Sequence, residues 1–103
     1  MTRIAAIATI AAAEGKEAEL QAALLAHFPE INAEPGTLVY ALHRRTDDPG
    51  TFVFYELYQD RQAATLHSQS DAAFRLQGAL EGLTDGPPAI VVLEPINEIG
   101  LPG

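Results

Sequence analysis

The chain has no cysteine, no tryptophan and one methionine, and sets only 6 basic side chains against 14 acidic ones. Without cysteine there is no disulfide, no thiolate nucleophile and no cysteine-ligated metal. A sequence free of disulfides suits a reducing compartment, so a cytoplasmic setting is expected. The formal net charge of −8 repels a phosphate backbone, and no stripe of lysine and arginine with interleaved aromatics offsets it. Nucleic acid is therefore not an expected partner. The basic cluster His43-Arg44-Arg45 reads either as a solvated strand end or as a steering group for an anionic or phenolate-like ligand. No apolar run is long enough to span a bilayer. Ile4 to Ala13 faintly imitates a signal peptide but lacks a strongly basic leader and ends in Glu14-Gly15-Lys16, so a strand is expected there and no membrane. Also missing are a glycine-rich phosphate loop, a His-x-x-x-His pair, a nucleophile elbow and an acidic calcium loop. The histidines His27, His43 and His67 stand 16 and 24 residues apart, a spacing that defines no metal site.

What remains is 103 residues with an ordinary 48% apolar content, read as one domain spanning 1–103 with a short tail over 96–103. A chain of this size buries roughly 60–65% of its extended surface, enough for one two-layer core. Ile4, Ala6, Ala8 and Ile10 alternate on one side of a first strand, with Ile7 and Thr9 on the other. Leu20, Leu24, Phe28 and Ile31 recur at helical spacing, with Leu25 off the stripe as a possible partner contact. Pro29 is expected to loosen the helix near Ala26 to Phe28 and turn the chain through Asn32 and Ala33. Glu34-Pro35-Gly36 then turns into a strand over Thr37 to Arg45, where the glycine is free to adopt a positive φ. Asp47-Asp48-Pro49-Gly50 reverses the chain into a third strand, Thr51 to Gln59, paired antiparallel with the second. Asp60 and Ser70 are placed to cap two successive helical segments, and Ala89 to Leu93 reads as a fourth strand. The order is β-α-β-β-α-β, an α+β ferredoxin-like plan.

Strands two and three are apolar on both faces: Leu38-Val39-Tyr40-Ala41-Leu42 and Phe52-Val53-Phe54-Tyr55 put large side chains at odd and even positions alike. Two helical segments cannot cover both faces of such a sheet. A second copy of the chain is the economical cover, so a homodimer is expected. The tail residues Ile96, Ile99 and Leu101 are further candidates for that contact.

His67 offers acid–base chemistry near neutral pH, or simply a satisfied interior imidazole. On an uninterrupted helix it shares a face with Ala63, Ser70 and Phe74, turned toward the sheet. Glu56 alternates with Phe52, Phe54 and Tyr58, an unusual place for a charge, so it needs a partner or a wet cavity. The expected catalytic pair is His67 with Glu56. Tyr40, Tyr58 and Phe54 are expected to line a slot for a flat aromatic ligand, with Asn32 near its mouth. Asn32 and Glu34 flank the entry to strand two, where local side-chain bonds are the simplest role for both.

The segments Glu34-Pro35-Gly36-Thr37-Leu38-Val39-Tyr40, Asp48-Pro49-Gly50 and Phe52 to Asp60, followed by Ala63-Ala64 and His67, resemble the antibiotic biosynthesis monooxygenase domain, especially its quinol monooxygenase branch. The resemblance runs in order through nearly the whole chain. It implies a ferredoxin-like subunit that dimerises through its sheet into an α+β barrel, each subunit keeping its own cavity. It also implies a cofactor-independent oxygenase acting on a small phenol, quinol or polyketide aromatic with O2, holding neither cofactor nor metal. Other members of that family degrade haem or process small signalling sugars. The family often carries tryptophan where this chain has Tyr58 and arginine where it has Leu57. Its haem-degrading members use an asparagine in the first strand, where Ile7, Ala8 and Thr9 stand here. The alternatives left open are an isomerase acting on a phosphorylated sugar and a non-catalytic ligand-binding protein.

Overall fold

A computed structural model describes residues 2–100. Four strands, β1 (Ile4–Ala11), β2 (Thr37–Arg44), β3 (Thr51–Tyr58) and β4 (Ala89–Leu93), form one sheet in the order β2-β3-β1-β4. Every neighbouring pair is antiparallel, as in the ferredoxin-like plan. Between the strands lie α1 (Glu17–Ala26), α2 (Phe28–Asn32), α3 (Arg61–Ser68) and α4 (Asp71–Ala79). Leu101 lies outside the described residues.

The period-2 pattern decides which residues face the helices. Ala8 is the register partner of both Phe54 and Ile90, and Tyr40 that of Glu56. The even-numbered residues of β1, β3 and β4, and of β2 from Tyr40 onward, therefore share the helix-facing side. There Ala8, Ile10, Phe52 and Phe54 close on Leu20 and Leu24 of α1 and on Leu80, forming the core. The odd-numbered Val39, Ala41, Val53 and Tyr55 are half-buried on the opposite side. At one end of that outer side, Arg3 Nη1 donates to Glu98 Oε1 of the tail at 2.9 Å. Ile96 and Ile99 are 99% and 96% exposed. A shift in register between Thr37 and Val39 marks a bulge at the start of β2, which brings Tyr40 onto the inner side.

Three local expectations change. The regular helix does break at His27, but the turn expected through Asn32 is instead the short helix α2, with Pro29 in its first turn. Proline is at home there, because those N–H groups have no intrahelical acceptor in any case. Gly36 is required for space and not for a positive φ: a Cβ at that position would lie 2.5 Å from Cβ of Ala63. That contact seats α3 against the entry of β2. Asp60 caps α3 through Ala63 N–H at 2.8 Å, and Ser70 caps α4 through Ala73 N–H at 3.0 Å. The fresh cap at Ser70 ends the helix that carries His67, so offsets counted across it do not hold. Phe74 is accordingly not on the sheet-facing side with His67 but 77% exposed.

Candidate active site

A cavity of about 400 Å3 opens between the inner side of the sheet and the pair α3–α4. Ala6, Ala8, Ile10, Phe54, Ile90 and Val92 contribute its strand wall, and Ala73, Leu76 and Leu80 its helix wall. Tyr40, Glu56, Tyr58 and His67 line it together. Sheet alternation places the first three side by side on β2 and β3, and the cap at Asp60 sets α3 so that His67, in its last turn, comes over them. The His67 ring centroid lies 5.4 Å from that of Tyr40 and 5.3 Å from that of Tyr58. Phe54 stands 4.8 Å behind Tyr40 and is stacked on Phe28 at 6.1 Å. Asn32 is not brought to this cavity. The helical turn of α2 leaves it exposed and outside the lining.

The closest polar partner of His67 is Glu34, whose Oε1 lies 2.8 Å from the imidazole Nδ1. The same oxygen accepts from Thr37 Oγ1 at 2.8 Å. The local bond expected of Glu34 is thus real, but the carboxylate also reaches across 33 positions of sequence to α3. An ionised carboxylate only accepts, so Nδ1 carries the proton and Nε2 presents a lone pair. Glu56 is paired differently: it accepts from the Tyr58 hydroxyl.

Burial dominates the electrostatics. It pushes the Glu56 carboxyl above the usual carboxylate range, with Tyr58 and a charged His67 pulling it back and Glu34 adding to the rise. Burial and the charge of Glu56 push both tyrosine hydroxyls well above the ordinary phenol value. Tyr40 and Tyr58 therefore act as donors and do not ionise. His27, buried where α1 meets α2, also lines the cavity. Burial, then the neighbouring His67, holds its imidazole below the ordinary histidine value, against the opposing pull of Glu30 and Glu34. Neither His27 nor Glu34 stands out in the sequence as a site residue. The Pro-Gly turn after Glu34 masks its longer reach, and the spacing of the histidines carries no sign that two of them meet.

The arginines stay mostly outside. Arg61 lines the cavity, Arg45 pairs with Asp47, and Arg75 with Glu30. Arg44 binds Gln21 and lies over the Phe52 ring, so the His43-Arg44-Arg45 cluster is an exposed strand end. Among the described residues, no group of three His, Cys, Asp or Glu side chains is arranged to hold a metal, and no helix is long and apolar enough to cross a membrane.

Residues 3–78 match the sequence pattern of the antibiotic biosynthesis monooxygenase family. The chain belongs to that family. No curated protein matches it, but solved structures do. PA3566 from Pseudomonas aeruginosa is 30% identical over 94% of this chain and 97% of its own, with a TM-score of 0.86. Rv0793 from Mycobacterium tuberculosis is 29% identical over 94% and 98%, with a TM-score of 0.87. NE2512 from Nitrosomonas europaea, a protein of unknown function, is 27% identical over 100% and 98%, with a TM-score of 0.89. These relatives share the fold over their whole length, so the monooxygenase family and the ferredoxin-like subunit stand together.

Proposed function

We propose that this member of the antibiotic biosynthesis monooxygenase family oxidises a small aromatic, a phenol or quinol, with O2. The observation that carries the reading is the cavity itself: about 400 Å3, walled by apolar side chains, with an imidazole held by a carboxylate at one end. Nε2 of His67 takes the phenolic proton, while Glu34 holds the ring in place and balances the imidazolium that forms. Glu56 with Tyr58, and Tyr40, hold the aromatic ring and its oxygens. The electron-rich anion passes an electron to O2. Recombination joins the reduced oxygen to a ring carbon as a peroxide, which takes the proton back from His67. The O–O bond then breaks as that carbon gives up its C–H proton, leaving a ring carbonyl and releasing water. The substrate supplies all the electrons that O2 takes up, so the balance needs no further reductant. The protein's share is proton transfer, alignment and a site poor in water.

A phosphorylated-sugar isomerase would place several cations around its substrate. Arg61 alone among the described arginines lines the cavity, which favours the aromatic reading. The test is O2 uptake with a hydroquinone or anthrone-type substrate, without added flavin, haem or metal, measured against a protein-free blank. Label from ¹⁸O2 is expected in the product, and no uptake across a broad phenol and quinol panel would overturn the reading.

We further propose that the working unit is a homodimer formed through the outer side of the sheet. Val39, Ala41, Val53 and Tyr55 lie there without a covering helix, and Ile96 and Ile99, in the tail after β4, stand almost fully exposed. A specific interface of this kind buries about 1,200–2,000 Å² in total. Sedimentation at micromolar concentration is expected to give twice the chain mass. A stable monomer would leave that apolar side unexplained and sink the proposal.

A further inference from the structure

Of the 6 lysines and arginines in the chain, all but one are engaged. Arg3 pairs with Glu98, Lys16 with Glu19, Arg45 with Asp47 and Arg75 with Glu30, and Arg44 donates to Gln21. Arg61 is the exception: it is exposed and has no ion-pair or hydrogen-bond partner among the described residues. A free cation on open surface would need no explanation, but Arg61 lines the cavity. It also lines a second, more polar recess with Thr2, Leu93 and Glu94, and Ile4 and Val92 are common to both. Arg61 thus stands where the apolar cavity gives way to water.

The helix sets the cation at that edge. Arg61 opens α3 and His67 lies in its last turn, so the two stand about 9 Å apart along the helix axis. Ala64, Thr65 and Ser68 follow Arg61 at offsets of three, four and seven and line the cavity as well, so one side of α3 runs along it. The span from Arg61 to His67 is comparable with the length of an aromatic ring carrying a substituent at each end.

We propose that the substrate carries a carboxylate, which Arg61 binds at the cavity's edge while the phenolic hydroxyl meets His67. A guanidinium presents a planar fork that matches a carboxylate through two parallel hydrogen bonds. One cation balances one negative charge, whereas a phosphate dianion would leave charge over beside Glu56 and Glu94. Both partners keep contact with water in the outer recess, so pairing them demands little desolvation. The apolar walls hold the ring, and the charge decides which end enters first. The proposal rests on the reading that the cavity takes a phenolic ring, and it narrows the substrate class to hydroxylated aromatic acids.

The probes are 4-hydroxybenzoate and 4-hydroxybenzamide, near-isosteres that differ in charge, titrated calorimetrically near neutral pH without O2 so that binding is read apart from turnover. The native protein is expected to bind the acid about five- to tenfold more tightly than the amide, since an ion pair open to water on one side is modest even when bidentate. Arg61→Met keeps an apolar stem without the charge, and is expected to abolish the preference while leaving amide binding as it was. Arg61→Lys, with the charge but not the fork, is expected to retain part of it. Because Arg61 is exposed and unpartnered, both variants are expected to fold as the native chain does. A native protein that shows no preference for the acid, or a preference unchanged in Arg61→Met, would overturn the role of Arg61 and leave the phenol cavity standing. No binding of either phenol would overturn the cavity reading, and this proposal with it.

Discussion

Replacing His67 with alanine is expected to lower turnover by about 10²–10⁴-fold, the usual worth of a positioned general base. The side chain is mostly buried, held through Nδ1 by Glu34, and makes ring contacts with Tyr40 and Tyr58. Removing it deletes the one cavity imidazole whose tautomer is set by a carboxylate. Glu34→Gln is expected to fall between the native protein and His67→Ala. The amide keeps an acceptor for Nδ1–H and for Thr37 but loses the charge that balances the imidazolium. The measurement is initial O2 uptake on variants whose circular dichroism matches the native protein. Unchanged turnover in His67→Ala would remove this residue from the reaction.

Phe54→Ala is expected to cost about 3–5 kcal/mol of stability, the range for losing a buried phenyl ring. Phe54 is 2% exposed and belongs to the cluster that joins β3 to α1. It also touches Phe28 and Tyr40, and thus supports the cavity from behind. The void left by its ring would adjoin the cavity, and the surrounding sheet cannot collapse into it without moving Tyr40. A domain of this size has only about 5–15 kcal/mol to lose, so the midpoint in urea should fall steeply and the protein melt about 15–30 °C earlier. Phe54→Leu should keep most of the contacts and lose far less. A loss below about 1 kcal/mol for the alanine variant would mean that the site does not rest on this aromatic cluster.

The four strands, the hairpin at Asp47–Gly50 and the caps at Asp60 and Ser70 were legible because each is written within a few residues, in alternation or in a turn or capping side chain. The placement of Glu56 and Tyr58 on one side of β3 followed from the same period, whereas Tyr40 joins them through the bulge at the start of β2. The coupling of Glu34 to His67 was not legible. It depends on how closely α3 approaches the start of β2, which the contact of Gly36 with Ala63 sets. Asn32 misleads because a proline that breaks one helix can begin another, and that extra turn carries the amide outward. Phe74 misleads because α4 restarts at its own cap. In both cases the periodicity was read across a break that resets the helical phase.

The order in which the chain supplies the cavity has one more consequence. Among the described residues, the titratable side chains that line it lie between His27 and His67, whereas from Ala73 onward it receives only Ala73, Leu76, Gln77, Leu80, Pro88, Ile90 and Val92. Ala6, Ala8, Ile10 and Phe54 also shape the cavity, but the stretch from Ala73 onward contributes shape without any acid–base group. Drift in that stretch can enlarge, narrow or re-angle the slot while the acid–base groups stay as they are. Such a division lets a single small scaffold explore new substrates by point mutation without first losing its reaction.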